Sequence, residues 1–201
     1  TSEKDGFNHI YLRNFDGSEI QLTKGNWEVT KFHGVDSDKM KFYFTSTEDG
    51  SINRSVYVQN LENEEKTKLS TEIGTNSAFF SKGLKYYMNS FSTSNSAPIF
   101  TLNSADGVQL KLLEDNSKFN EEMKKFDLSK KEFFTIKTNN VELNAWMIKP
   151  PNFDETKTYP LYIYIYGGPG SQQVTNSFWT TNYWHQMLAQ QGYIVACVDN
   201  R

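Results

Sequence analysis

The sequence is short of several residue types, and each shortage excludes a class of protein. Its 201 residues contain one cysteine, Cys197, so the chain cannot form an internal disulfide. No apolar run reaches the ~20 residues that span a bilayer, and residues 1–20 lack the apolar core of a signal peptide. His9 and His33 have no second histidine or cysteine at metal-ligand spacing. We therefore expect no metal, no cofactor and no transmembrane segment within these residues.

A large excess of charge of either sign is also missing. Lysine and arginine together number 21 against 24 aspartates and glutamates, which leaves a formal net charge of −3. Such a mixed surface indicates neither nucleic acid nor an anionic membrane as a partner. The chain has no initiating methionine and ends at Arg201, directly after a predicted strand. We expect it to be a segment of a longer polypeptide.

Aromatic residues, by contrast, make up 15% of the chain, which suits β-sheet cores. A triplet centred on an aromatic residue begins at residues 10, 56 and 99, and each copy continues into a polar turn and a second apolar segment. This period of about 45 residues is that of a propeller blade, which is built from four antiparallel strands. Further alternating segments supply the remaining strands, at 27–32, 41–46, 77–80 and 85–88. A β-sandwich of about seven strands is the alternative, but a sandwich has no reason to repeat in this way.

The pattern changes between residues 113 and 128, which indicates a domain boundary. Residues 120–126 predict a short linker helix, with Asn120 as its N-cap, acidic residues in the first turn and lysines in the last. Residues 131–138 and 141–149 then predict a β-hairpin that turns at two asparagines. We therefore divide the chain into residues 1–124, which form propeller blades, and residues 125–201, which begin a second domain.

The second domain is organised around the apolar segment 159–166 and the glycine-rich turn that follows it. The segment predicts a strand buried on both faces. The turn consists of Gly167, Gly168, Pro169 and Gly170. Residues 175–190 predict a helix, whose buried face would consist of Phe178, Trp179, Tyr183, Met187 and Leu188. A second apolar strand at 193–198 completes a βαβ unit, so the two strands should be parallel.

Ligands of open α/β sheets bind beyond the carboxyl ends of the strands, which makes Tyr166 a candidate site residue. Two fold classes contain such a unit. A hairpin followed by parallel strands matches the start of an α/β-hydrolase sheet. A doubly wound nucleotide-binding domain is the alternative, but the turn departs from the G-x-G-x-x-G fingerprint at Pro169, and no phosphate-loop lysine follows. The predicted fold class is therefore mixed: all-β propeller blades followed by the N-terminal part of an α/β-hydrolase sheet.

Several segments resemble the dipeptidyl peptidase IV branch of the prolyl oligopeptidase family. Residues 22–29, LTKGNWEV, are similar to a propeller segment of that branch, and residues 113–116 are similar to the end of its last blade. Residues 159–161, 166–171 and 198–201 are similar to the start of the family's catalytic domain. The resemblance implies a serine exopeptidase that releases N-terminal dipeptides with proline or alanine in the second position.

The resemblance also implies a role for one residue of this segment. Tyr166 matches the tyrosine whose phenol helps to form the oxyanion hole, and the four turn residues form its supporting loop. In α/β-hydrolases one oxyanion donor comes from the loop between the third strand and the first helix, and Tyr166 stands at the head of that loop. No G-x-S-x-G elbow occurs in the chain. The family's triad is implied to follow this segment and its substrate-gripping glutamates to precede it, so we expect the segment alone to be inactive.

The expected partners of the parent protein are peptide substrates and, by the resemblance, a second copy in a homodimer. The resemblance further implies export to the periplasm or cell envelope of a bacterium. Two other functions are retained as alternatives. One is a non-catalytic propeller module that binds a protein or a glycan, and the other is a different peptidase of the prolyl oligopeptidase family.

Overall fold

The computed structural model describes residues 1–168 and 170–200, which form mostly β-sheet with few helices. The first ten strands are β1 Tyr11–Arg13, β2 Glu19–Gln21, β3 Val29–Asp36, β4 Lys41–Ser46, β5 Ser55–Asn60, β6 Lys66–Lys68, β7 Thr75–Phe80, β8 Tyr86–Thr93, β9 Ser96–Ser104 and β10 Gln109–Glu114. They are followed by helix α1 Ser117–Met123, strands β11 Lys131–Thr138, β12 Val141–Ile148 and β13 Leu161–Tyr164, a 3-10 turn Phe178–Thr180, helix α2 Tyr183–Gln190 and strand β14 Ile194–Val198. None of the described helices is long and apolar enough to cross a membrane.

The chain divides into two compact units. Thr1–Thr93 and Pro98–Asp115 form the first, and Ser94–Ala97 with residues 116–200 form the second. Strands β1 and β2 form a two-stranded sheet, and two four-stranded sheets follow, with the orders β3-β4-β5-β6 and β7-β8-β9-β10. Each sheet therefore takes its strands from one continuous stretch of sequence, as in a propeller-like segment, and none of them closes on itself within the described residues.

Each copy of the sequence repeat forms the hairpin that was predicted from it. The three hairpins are antiparallel and pair β1 with β2, β5 with β6, and β9 with β10. In both four-stranded sheets the repeat occupies the third and fourth strands. The alternating segments between the copies form the first and second strands, although β3 and β8 run further than their patterns indicated.

Strand β4 shows how neighbouring sheets hold one another. Its alternate residues Phe42 and Phe44 lie in one core with Ile10, beside the two-stranded sheet. Tyr43 points the other way into a second core with Tyr87 of the following sheet. All three aromatic side chains are completely buried, and such burial contributes about 1.5–3 kcal/mol for each of the two phenylalanines. The strand lacks polar alternation because both of its faces are covered.

Several residues of the segment 22–29 contact a buried histidine, His9. His9 is fully buried, with Nδ1 lying 3.1 Å from Thr23 Oγ1 and Nε2 lying 3.0 Å from the carbonyl oxygen of Gly25. The Trp27 ring meets the His9 ring edge-on, with 4.8 Å between centroids, and stacks against Phe44. A Cβ atom at position 25 would lie 2.3 Å from Trp27 Nε1, and Gly25 has a φ of +138°. This segment therefore requires glycine there, and His9 is a buried packing residue.

The second unit is built on a mixed sheet with the order β11-β12-β14-β13. Strands β11 and β12 form the predicted hairpin, and Asn139 in its turn has a φ of +47°. Strand β14 runs antiparallel to β12 and parallel to β13, with Tyr164 opposite Cys197. The prediction that the two strands flanking the glycine turn are parallel is thus confirmed.

Three local predictions in this part of the chain were wrong. Helix α1 begins at Ser117, so Asn120 lies inside the helix, and Asn116 precedes it with a left-handed φ of 55°. The expected acidic first turn is absent because Glu121 and Glu122 lie near the end, where they pair with lysines three residues later.

The predicted helix 175–190 is α-helical only from Tyr183, where the Asn182 side chain accepts a hydrogen bond from the Trp184 amide. Its buried residues are His185, Gln186 and Ala189 rather than the aromatic ones. Gln186 is buried because its side-chain amide donates a hydrogen bond to the Ser129 carbonyl oxygen and accepts one from the Ser129 backbone N–H. Periodicity of apolar residues gives no signal for such a polar contact.

The third wrong prediction concerns burial of the strand before the glycine turn. Strand β13 spans only Leu161–Tyr164 and lies at the edge of the described sheet. Leu161 and Ile163 alternate onto one face, where both are more than half exposed. Tyr162 and Tyr164 lie on the other face, near the His185 ring.

Replacing Gly25 should destabilise the first unit. In Gly25→Ala the new methyl group overlaps the Trp27 indole and the backbone keeps an unfavourable φ, which together should cost about 1–3 kcal/mol. Thermal unfolding followed by Trp fluorescence would measure the loss. Gly83→Ala is the matched control, since nothing lies within 4 Å of its Cβ position. Equal unfolding temperatures for the two variants would contradict this account.

His33 should make the first unit less stable in acid. Burial, aided by Lys31, lowers the pKa of His33 from 6.5 to about 4, while its Nε2 lies 2.8 Å from Thr45 Oγ1. The unfolded chain therefore takes up a proton before the folded one does, and stability is lost as the pH falls from 6.5 toward 4. Urea unfolding at several pH values should show a shallower acid loss in His33→Gln. An unchanged slope would show that His33 does not contribute.

Candidate active site

The candidate site lies where β13 ends and the glycine turn begins. Tyr166 follows β13 by two residues, and its side chain is 61% exposed. Gly167 and Gly170 both take left-handed conformations, with φ of +70° and +69°. A Cβ atom at position 168 would lie 2.4 Å from Cε1 of Tyr166, so the phenol ring covers the backbone of Gly168. The fourth predicted loop residue, Pro169, lies outside the described residues.

The carboxylate of Asp199 holds the chain that leaves this turn. Its Oδ1 accepts a hydrogen bond from the backbone N–H of Gln173 at 2.8 Å, and its Oδ2 accepts one from the backbone N–H of Val174 at 2.9 Å. Hydrogen bonds to a charged acceptor contribute about 1.5–3 kcal/mol each. The next residue, Asn200, donates from Nδ2 to the carbonyl oxygen of Gly167 at 3.3 Å. Two consecutive residues after β14 thus bind the backbone at the first residue of the turn and at two residues that follow it.

Gln173 connects this loop to the sheet. Its Oε1 accepts a hydrogen bond from the Tyr164 hydroxyl at 3.1 Å, and its Nε2 donates to Ser171 Oγ at 2.8 Å. Its carbonyl oxygen accepts a hydrogen bond from Trp146 Nε1 at 3.3 Å. Ser171 therefore contacts an amide and not a base, which argues against a role as nucleophile.

A group of buried titratable side chains consists of Lys131 and Cys197 from the sheet and His185 from α2. Burial lowers the pKa of Lys131 to about 8, raises the pKa of the Cys197 thiol to about 11 and lowers the pKa of His185. Lys131 Nζ lies 3.2 Å from both the carbonyl oxygen and Oγ1 of Thr180, and 4.7 Å from the centre of the Trp146 ring. Nδ1 of His185 is buried without a hydrogen-bond partner among the described residues. These shifts all favour uncharged side chains, as expected for an apolar core layer.

Among the described residues the arrangement offers a hydrogen-bond donor, Tyr166, and no serine on a G-x-S-x-G elbow. The exposed Tyr166 phenol is placed at the carboxyl edge of two parallel strands, where substrates of such sheets bind. No cluster of three histidine, cysteine, aspartate or glutamate side chains suited to a metal ion occurs among residues 1–168 and 170–200. The structure places Tyr166, Gly167, Gly168 and Gly170 together, as they are adjacent in sequence.

Sequence reasoning did not assign a role to Asp199, Asn200 or Gln173. A signal for Asp199 was present nonetheless. It follows directly on the carboxyl end of a strand parallel to the one that leads to Tyr166, so the two residues must come to the same edge. Gln173 had no comparable signal, because a glutamine in a loop has no preferred partner.

Comparisons with known proteins bear on this site. Residues 1–98 match the family described as the dipeptidyl peptidase IV N-terminal region. Over its whole length the chain is 36% identical to dipeptidyl peptidase 4 of Trichophyton rubrum and 32% identical to prolyl endopeptidase FAP of Bos taurus, and it spans 27% of the length of each. The crystal structure of Porphyromonas gingivalis dipeptidyl peptidase 4 superimposes with a TM-score of 0.93 at 42% identity, covering all of this chain and 28% of that one.

Gly168 should be required for the orientation of the Tyr166 ring. In Gly168→Ala the new methyl group would occupy space held by Cε1 of the ring, so the phenol should rotate or the turn should shift. A crystal structure of the variant would show the displacement. In Gly170→Ala nothing lies within 4 Å of the new Cβ, so the ring should keep its place there. An unmoved phenol in Gly168→Ala would contradict the prediction.

Proposed function

We propose that the chain is a segment of a serine exopeptidase, because dipeptidyl peptidase 4 proteins are similar to it over its whole length and its residues 1–98 match the dipeptidyl peptidase IV N-terminal region. The parent protein would release N-terminal dipeptides, with proline or alanine in the second position, from peptides. The observation that carries this proposal is the exposed Tyr166 phenol at the carboxyl edge of the parallel strands β13 and β14. Hydrolysis of a peptide bond at this edge requires a hydrogen-bond donor that can reach the peptide carbonyl oxygen, and an exposed phenol can do so.

The proposal gives each part of the chain a place in the parent. Residues 1–124 would be the C-terminal blades of a β-propeller, supported by the two stacked four-stranded sheets. Residues 125–201 would be the N-terminal part of an α/β-hydrolase domain, supported by the hairpin that continues into a parallel pair of strands. The helix α1 would then end the linker between the two domains.

Tyr166 would act by stabilising charge. When a nucleophile attacks the scissile carbonyl, the carbonyl oxygen becomes an oxyanion, and the phenol O–H would donate a hydrogen bond to it. A single donor of this kind lowers the barrier by about 2.7–4 kcal/mol, or about 10²–10³ in kcat. The serine, the base and the acid would come from other parts of the parent, since the chain has no G-x-S-x-G elbow. The 201 residues alone should therefore not turn over substrate.

We also propose that the parent is a homodimer that acts on peptide substrates. The support for the dimer is the family resemblance of the sequence, and sedimentation analysis of the full-length protein would test it.

Kinetics of the full-length protein would test the proposed function. With a glycyl-prolyl chromogenic substrate, Tyr166→Phe should lower kcat by about 10²–10³ while changing KM little, because the donor acts on the transition state and not on the bound substrate. Tyr162→Phe, in the strand β13 that precedes Tyr166, is the matched control and should retain kcat.

Two results would contradict the proposal. An unchanged kcat in Tyr166→Phe would remove the tyrosine from the mechanism. A full-length protein that shows no turnover of the dipeptide substrate would instead favour a non-catalytic propeller module or a peptidase of different specificity.

A further inference from the structure

We propose that Asp199 is a positioning residue, which fixes the direction of the Tyr166 phenol by holding the glycine turn. The inference rests on the proposed function of Tyr166. Its basis is that Asn200 binds the backbone of Gly167, where the turn begins, and Asp199 binds the backbone of Gln173 and Val174, after it ends.

The turn needs such an anchor because two of its described residues, Gly167 and Gly170, have few neighbours of their own. Glycine has no side-chain atoms beyond a hydrogen to form contacts, and its backbone has the largest conformational freedom of any residue. Among the described residues, nothing lies within 4 Å of the Cβ position of Gly170, and one side-chain atom, from Ile165, lies that close at Gly167. The phenol that the turn supports is itself largely exposed. The direction of the ring therefore depends on what holds the two ends of the turn.

Asp199 is well suited to hold them because it is itself fixed to the sheet. It follows β14, which lies between β12 and β13 in the sheet order. The Asp199 amide donates a hydrogen bond to the carbonyl oxygen of Asn144 at 3.0 Å, which extends the pairing of β14 with β12. Its carboxylate then spans to two successive amides of the loop. Asp199 thus attaches the loop to the end of β14, the strand that also pairs with β13, which precedes Tyr166.

The chemistry of the carboxylate explains why aspartate stands here. The amides of Gln173 and Val174 each require an acceptor, and an ionised carboxylate offers one oxygen to each. Asparagine offers a single acceptor, so its NH₂ group would face one of the two amides as donor against donor. Both Asp199 oxygens are already occupied by backbone groups, which argues for positioning rather than for direct participation in proton transfer.

A double-mutant cycle in the full-length protein tests the inference. Asp199→Asn should lower kcat about 10- to 100-fold, because a misplacement of about 1 Å costs this much in an oriented reaction, and KM should stay within about twofold. In the Tyr166→Phe background the same substitution should have little further effect on kcat. Asp154→Asn is the matched control, since Asp154 also caps a loop, at Thr156, but lies before β13. It should leave kcat unchanged.

The outcomes separate the inference from the proposed function. If Tyr166→Phe lowers kcat and Asp199→Asn does not, the positioning role is wrong and the function stands. If the two substitutions reduce kcat independently, Asp199 acts elsewhere and the inference is overturned. If Tyr166→Phe has no effect, the role of the tyrosine and the inference both fail.

If Asp199→Asn does not fold, Asn200→Ala takes its place in the cycle. Asn200 is exposed and loses only its hydrogen bond to Gly167. It should reduce kcat about threefold, consistent with the loss of one neutral hydrogen bond, and only when Tyr166 is present. A reduction of equal size in the Tyr166→Phe background would overturn the inference.

Discussion

The parallel pairing of β13 with β14 is the interaction on which the candidate site depends. Leu161, Ile163 and their neighbours align with residues 194–197, so the chain leaves both strands at the same edge. Parallel strands require a crossover between them, and here that crossover contains the glycine turn, its loop and α2. Because of this pairing, the exposed phenol of Tyr166 and the carboxylate of Asp199 belong to one local structure although they are far apart in the sequence.

The sheets of the two units are covered by different elements. In the first unit the sheets cover one another, so β4 is buried on both faces by apolar and aromatic side chains. In the second unit α2 covers one face of the sheet with His185, Gln186 and Ala189, and polar side chains reach the backbone of distant loops. Side-chain packing thus stabilises the first unit, and hydrogen bonds from side chains to the backbone add to the stability of the second.

This difference explains which features could be predicted from the sequence. The hairpins of the repeat, the β11–β12 hairpin and the parallel pair follow from apolar alternation and turn residues, which are local signals. The start of α2 and its buried face could not be found in this way, because Gln186 is inside for the sake of Ser129, 57 residues away. Of the candidate site, Tyr166 and its glycines were predicted from their place after a strand, and their role stays a prediction. Asp199 could have been placed at this edge from the parallel pairing, but its hydrogen bonds and those of Gln173 join separate segments, which periodicity does not report.

The most direct measurement is a crystal structure of the full-length protein bearing a tetrahedral adduct with a prolyl boronic acid. The account predicts that the Tyr166 hydroxyl lies about 2.7–3.1 Å from the oxygen that represents the oxyanion, with both Asp199 oxygens still bound to the loop amides. A phenol that lies beyond hydrogen-bonding distance of that oxygen, with another group in its place, would contradict it.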